Sequence, residues 1–426
     1  MMKKLLNAIF AIALVLLPAI QVGAQSASRW PRTPVSVVYI NETINEAPNI
    51  VEIFHNSRSE YFHSPGAPRF VLVDQQERWA LGVGGFVQAK IGYDFDGIVD
   101  DIDFNPSSIE RGNGPSTQYR MDATTSTLFL KLVGRSSLFG DFIIYSAGNW
   151  RGSDDTFQML DAYIKTKHLT FGYTTGAFMD LAAAPPTVDY AGPCGMTFYR
   201  STQFAFNYNS DWGLSMGMAL ETPDIDATEN EYVSVGAQRF PDIPVYVKYN
   251  FAPNTHVRLA GIMRDISYRN LLTGRQHERI GWGAQASTLL TFGKLQLSGQ
   301  YTIGEGIGSL MNDVSNVGMD IVPNPRSEGN MMMLLTDGWF ASVLYNITPR
   351  LFASATYSQS NIRSRRGFAG ANPEMYKRGQ YLVANMFCNV SNNLQLGLEY
   401  LHGWRVDFNR DTYNANRINF SARYNF

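Results

Sequence analysis

The sequence is poor in charge, nearly free of cysteine, and holds no long apolar run beyond its first residues. Asp, Glu, Lys and Arg together make up 17% of 426 residues, against roughly 25% in soluble domains. Past the N-terminus no stretch reaches the ~18 apolar residues of a membrane-spanning helix, which excludes a helical membrane bundle. The net charge of −2 carries no nucleic-acid signature. The 37 Gly and 19 Pro exclude a long coiled coil. The two cysteines, Cys194 and Cys388, make no zinc spacing, and on the strand assignment below they fall in a loop and a strand far apart in space, so no disulfide is expected. The six histidines are scattered without a metalloprotease pattern. No G-x-S-x-G elbow appears. Gly304-Glu305-Gly306-Ile307-Gly308 imitates a nucleotide loop, but no helix follows it. No cofactor and no metal are therefore expected.

What is present is 45% hydrophobic and 13% aromatic residues. Lys3 and Lys4 precede an uncharged apolar stretch from Leu5 to Ile20, and Val22-Gly23-Ala24 fits the small-x-small cleavage rule. Residues 1–24 therefore read as a cleaved export signal. At the other end Ile418, Phe420, Ala422, Tyr424 and Phe426 alternate with polar residues. Strict period-2 alternation closing on an aromatic is the pattern of a strand with one face to lipid and one to water. An ordinary half-buried strand would alternate too, so the rest of the chain decides.

Segments of similar pattern recur at 80–95, 124–133, 138–148, 157–166, 168–174, 202–210, 212–221, 244–251, 256–265, 280–291, 294–303, 338–347, 351–359, 380–390, 393–402 and 415–426. That is sixteen strands, an even number, as a single-chain barrel requires. Short turns alternate with eight longer loops, including 96–123, 175–201, 222–243, 304–337 and 360–379. The fold class is therefore all-β: a transmembrane antiparallel β-barrel with short periplasmic turns and long extracellular loops. Residues 25–78 form an N-terminal periplasmic segment and 79–426 the barrel. Within the segment, Ile44 to Phe54 reads as a short helix, and Phe70 to Asp74 as one arm of a hairpin into the first strand. On this reading the apolar residues belong to the outer wall rather than to a core.

Parity assigns faces. Tyr93, Tyr249, Trp282, Trp339, Tyr345, Tyr357, Tyr400 and Tyr424 point outward near strand ends, as girdles at the membrane interfaces. Lys90, Lys131, Lys165, Lys248, Arg258, Arg264, Arg417 and Arg423 point inward, against the inward acids Asp94, Asp161 and Glu399. Rings of Arg and Lys favour anions in a pore, so these eight bases are the candidate solute-binding residues. The competing reading pairs each base with a loop acid and leaves a neutral wall. The third long loop, 176–200, is stiffened by Pro185, Pro186 and Pro193. By analogy with large membrane barrels, in many of which the third loop enters the lumen, it is expected to fold inward as a constriction carrying Asp180, Asp189 and Arg200. Arg363, Arg365 and Arg366 form a second basic cluster near the outer vestibule.

Several motifs then resemble one family. They are Ala67-Pro68-Arg69-Phe70, Leu81 to Val87, Gly92-Tyr93-Asp94-Phe95, Phe178-Met179-Asp180, Pro186 to Tyr190, Gly192-Pro193, Glu221-Thr222-Pro223, Gly397-Leu398-Glu399-Tyr400 and Asn416-Arg417-Ile418. In order and spacing, from residue 67 to 426, they are similar to the DcaP-like outer-membrane porins. The resemblance implies a homotrimeric sixteen-stranded barrel in a Gram-negative outer membrane, passing small anionic solutes such as dicarboxylates. Members can carry a periplasmic coiled coil, but residues 25–66 contain Pro31, Pro34, Pro48 and Pro65 and no sustained heptads.

The expected function is an outer-membrane porin for small anions, with membrane lipid and lipopolysaccharide as its other partners and no nucleic acid. The alternatives are a general, weakly selective porin, a phosphate- or sugar-selective pore in which aromatic residues form a slide, and a non-conducting structural or adhesion barrel. An enzyme is not expected: His168 and His256 fall at the short-turn rim without evident partners.

Overall fold

The computed structural model describes residues 36–39, 61–65, 70–74, 78–99, 101–112, 116–137 and 140–426. The export signal and the expected helix at 44–54 lie outside the described residues. Sixteen antiparallel strands close into a barrel. They are β1 (Trp79–Phe95), β2 in two pieces (Thr117–Asp122 and Thr127–Ser136), β3 (Gly140–Asn149) and β4 (Gln158–Lys165). Next come β5 (Leu169–Thr175), β6 (Arg200–Asn209), β7 (Leu214–Glu221) and β8 (Ile243–Ala252). The third quarter is β9 (Thr255–Asn270), β10 (Gln276–Phe292), β11 (Leu295–Glu305) and β12 (Leu335–Asn346). The last is β13 (Leu351–Arg363), β14 (Tyr376–Asn389), β15 (Leu394–Asp407) and β16 (Thr412–Asn425). β16 pairs with β1 from Asn416↔Phe95 to Asn425↔Phe86, which removes the free edges. The expected hairpin is present: Phe70–Val73 pairs antiparallel with Ala80–Val83 of β1.

Alternation sets the faces as period 2 demands. In β16, Phe420 and Tyr424 are exposed outward, while Asn419, Ser421 and Arg423 are buried inward. Tyr93, Tyr249, Trp282, Tyr345, Tyr400 and Tyr424 are all exposed on the outer wall. Trp339 and Tyr357 pack against each other there, with ring centroids 5.4 Å apart.

Some boundaries differ from the sequence reading. Thr117–Asp122 lies in the segment read as loop, yet it pairs with β1 from Lys90↔Asp122 to Phe95↔Thr117. The two pieces of β2 are separated by Ala123–Ser126, whose irregular backbone hides the period. Ser126 Oγ fills the break by accepting from Gln88 N at 3.0 Å. β9 and β10 run past the expected ends at 265 and 280, so only 271–275 connects them. Their lumen face there carries apolar Ile266 and Tyr268, which breaks the polar-inward rule. Residues 408–411 are likewise a tight turn on the long-loop rim.

The expectation of an outer wall without a core is corrected. Residues 96–99 and 101–112 of the first long loop, and loops 176–199, 306–334 and 364–375, fold back into the barrel and pack there. Phe178, Ile307, Met311, Val314, Met332 and Phe368 bury against Ile262, Ile362 and Tyr376 of the wall. Val99, Phe104, Ile109 and Cys194 bury against Tyr381, Val383, Leu401 and Ala415. Burial of this apolar surface holds the loops inside, and it fills part of the lumen.

Candidate functional site

The third loop leaves β5 at Thr175, crosses the lumen and returns as β6 at Arg200. Its polar groups are matched one by one on the far wall. Asp180 Oδ2 lies 2.8 Å from His256 Nε2 on β9 and accepts from Ser287 Oγ on β10 at 2.6 Å. Arg258 donates to the carbonyls of Ala177 and Phe178 and to Gln285 Oε1. The Glu399 carboxylate on β15 accepts from Val188 N at 2.6 Å and Asp189 N at 2.8 Å. Asn385 Nδ2 donates to Pro186 O at 2.8 Å. Gly195 N donates to Ser358 Oγ at 2.8 Å. Beyond it Phe198 N donates to Leu310 O, and Asn312 N to Met196 O, tying the loop to the 306–334 loop. Such pairing is what buried backbone requires. His256 thus has a partner that the sequence did not disclose, because the third loop descends to the short-turn rim. Burial alone would raise the Asp180 carboxyl; the His256 contact, the Arg258 charge and the Ser287 hydroxyl outweigh it and hold it down to about 2.

With the loop docked on β9–β15, an open space of about 590 Å³ remains along the inner faces of β2–β8. Lys131, Lys165, Arg200, Lys248 and Arg258 line it, against Asp161 and Asp180. Arg258 is committed to loop carbonyls and stacks over the Tyr246 ring at 4.5 Å. Arg200 stacks on Phe198 at 4.9 Å. Lys165 is exposed to the space. Phe129, Tyr145 and Tyr163 add rings to the same wall.

The other four candidate bases do not line this space; they hold loops. Arg417 forms a two-pronged pair with Asp94 and donates to the carbonyls of Val99, Asp101 and Ile102. Lys90 Nζ donates to Ile102 O at 2.6 Å. Arg264, fully buried, pairs with Asp242 at 2.9 Å and Asp320 at 3.2 Å, and donates to Gly306 O. Arg423 donates to Phe62 O and Ser64 O and stacks over Phe86 at 3.6 Å. Arg264 is thus paired with two loop acids, and Arg417 with Asp94 of the wall. A lone buried charge is costly, and parity cannot tell a clamp from a channel wall. Of the loop residues, Asp180 and Arg200 border the space. Asp189 is fully buried and accepts from Phe104 N and Tyr381 OH. Arg363 and Arg365 pair with Asp337 and Glu305.

Two features were not placed by the sequence reading. The first is residues 61–65, part of the segment assigned to the periplasm, which lie in the lumen. Phe62 packs against Phe352 and Phe387 with centroids 6.3 and 5.0 Å away. Tyr61 joins Ala184, Met196 and Phe340. Burial, with the Arg423 and Lys90 charges nearby, pushes the His63 imidazole down to about 3, so it stays neutral. The second is the inward aromatic set. Its signal was available, since Phe129 and Lys131, and Tyr163 and Lys165, share inward parity on their strands. Among the described residues no cluster of three or more His, Cys, Asp or Glu side chains could hold a metal ion. Cys194 and Cys388 are both free thiols.

A family model described as DcaP outer membrane protein matches residues 72–302. Among solved structures, the outer membrane channel DcaP of Acinetobacter baumannii is similar at 19% identity with a TM-score of 0.72, over 82% of this chain and 98% of that one. OmpT of Vibrio cholerae is similar at 11% identity and 0.53, over 82% and 98%. Salmonella typhi OmpF, in complex with daunomycin, is similar at 12% and 0.51, over 82% and 98%. At these identities the likeness is one of fold. No curated protein matches the chain. The family match spans more than half of the sequence: the chain belongs to the DcaP outer membrane protein family.

Proposed function

We propose that the chain is an outer-membrane diffusion channel for small organic anions, dicarboxylates among them, and that it works as a homotrimer. Residues 1–24 direct export and are removed, and lipopolysaccharide surrounds the outer half of the wall. The observation that carries this reading is the charge of the open space, where five bases face two acids. A low-dielectric wall focuses that field and raises the local concentration of anions. Lys165 and Arg200 then replace part of a solute's hydration as it passes. Asp161 and Asp180, at the same wall, keep the field from trapping the solute. Family membership and the porin fold support a channel over an enzyme. The purified protein in a planar bilayer is expected to give stepwise conductance that malonate or succinate reduces against chloride. A bilayer without steps would favour a closed structural barrel.

A further inference from the structure

We propose that the channel selects ring-shaped, hydroxylated anions, that is, acidic sugars, over open-chain anions of equal charge. The inference rests on the anion-channel reading and concerns the same space. Three rings lie on the inward faces of three successive strands. Phe129 and Tyr145 are stacked with centroids 5.6 Å apart, and Tyr145 and Tyr163 follow at 5.4 Å. Phe129 is buried against Tyr145, whereas Tyr145 and Tyr163 are half-buried and line the space. Other inward rings, such as Tyr268, Phe340, Tyr381 and Phe387, are covered by loops or by residues 61–65. Aromatic surface left half-exposed in a polar lumen gains free energy when an apolar face packs on it.

The phenols point the same way. The hydroxyls of Tyr199, Tyr246, Tyr376 and Tyr381 each meet a side-chain partner. Among the described residues, those of Tyr145 and Tyr163 have none. Lys131 stands directly across from Tyr145 in the β2–β3 register, and Lys165 is two residues along from Tyr163 on the same face. A flat ring with two hydrogen-bonding phenols and an amine at each flank matches a pyranose. Its C–H face packs on the rings, its hydroxyls meet the phenols, and its carboxylate or phosphate meets a lysine. A bare hydrocarbon ring would leave the phenols unmatched, and an open chain would leave the rings uncovered.

The test uses glucuronate, gluconate and cyclohexanecarboxylate as blockers of chloride current through the full-length protein in planar bilayers. The three carry one charge each and differ in ring and hydroxyls. Glucuronate is expected to block at a concentration at least about fivefold lower than either of the others. The Tyr145→Leu, Tyr163→Leu double variant should lose that preference while still conducting chloride. The corresponding Tyr→Phe pair should bring glucuronate level with cyclohexanecarboxylate. Equal block by glucuronate and gluconate, or an unchanged preference in the Leu pair, overturns the proposal and leaves the anion channel standing. Absence of chloride current would instead overturn the channel reading itself.

Discussion

At Gly195 the third loop lies directly against the backbone of the wall, and replacing it with alanine gives a sharp expectation. A Cβ there would stand 2.3 Å from Gln359 O, 2.5 Å from Trp339 N and 2.8 Å from Trp339 O. These are backbone atoms of β12 and β13 and cannot turn aside. Ordinary contact begins near 3.4 Å, so the loop must withdraw by about 1 Å. Overpacking of this kind costs about 1–3 kcal/mol. Withdrawal also breaks the Gly195 N to Ser358 Oγ bond, worth about 1 kcal/mol. The loop loses about 2–4 kcal/mol of docking free energy, and the barrel ladder loses nothing. Cys194 is the natural reporter, because it is fully buried next to the site and burial pushes its thiol pKa up. In a Cys388→Ser background, a small water-soluble maleimide should label Cys194 about 30- to 1000-fold faster in Gly195→Ala than with Gly195 intact. The barrel should still migrate as a folded species in unheated gels. Equal labelling in a folded barrel would refute the docking geometry.

Two other expectations follow from the same packing. Phe62→Ala removes a ring buried edge-on against the stacked pair Phe352 and Phe387, which costs about 3–5 kcal/mol in a packed site. Residues 61–65 should then leave the lumen and single-channel conductance should rise. Unchanged conductance, in this variant and in one lacking residues 25–69, would show that they do not narrow the path. The Asp180 contact should be acid-sensitive. A carboxyl lowered to about 2 from its ordinary 3.8 adds roughly 2 kcal/mol that is present above pH ~4 and lost as pH falls towards 2. Pepsin should therefore cut at Phe178–Leu181 at pH ~2 and spare it at pH ~4. Asp180→Asn should be cut at both; cleavage indifferent to pH in the unmodified protein would exclude the clamp.

The wall of the barrel was readable in the sequence because lipid imposes period 2 on it. The pairs Phe420/Tyr424 outward and Asn419/Arg423 inward in β16 needed only counting. The interior was not readable in that way. Arg417 and Lys131 share inward parity, yet one is buried under the first long loop and the other borders the open space. What separates them is the path of that loop, which no local pattern encodes. Ile266 and Tyr268 show the same limit from the other side: an apolar lumen face marks a covering loop, and it was read as the end of a strand. The third loop was placed inside by analogy of fold. Its partners, Glu399 for Val188 and Asp189, and His256 for Asp180, lie far along the chain and emerge only in three dimensions.

The most direct test of anion selection is the reversal potential of the purified protein under a KCl gradient. The expected sign favours chloride, and replacing Lys165, Arg200 and Lys248 with glutamine should move the potential towards zero while the channel still conducts. A potential favouring potassium, or one that these three substitutions leave unchanged, would contradict selection by the basic wall of the open space.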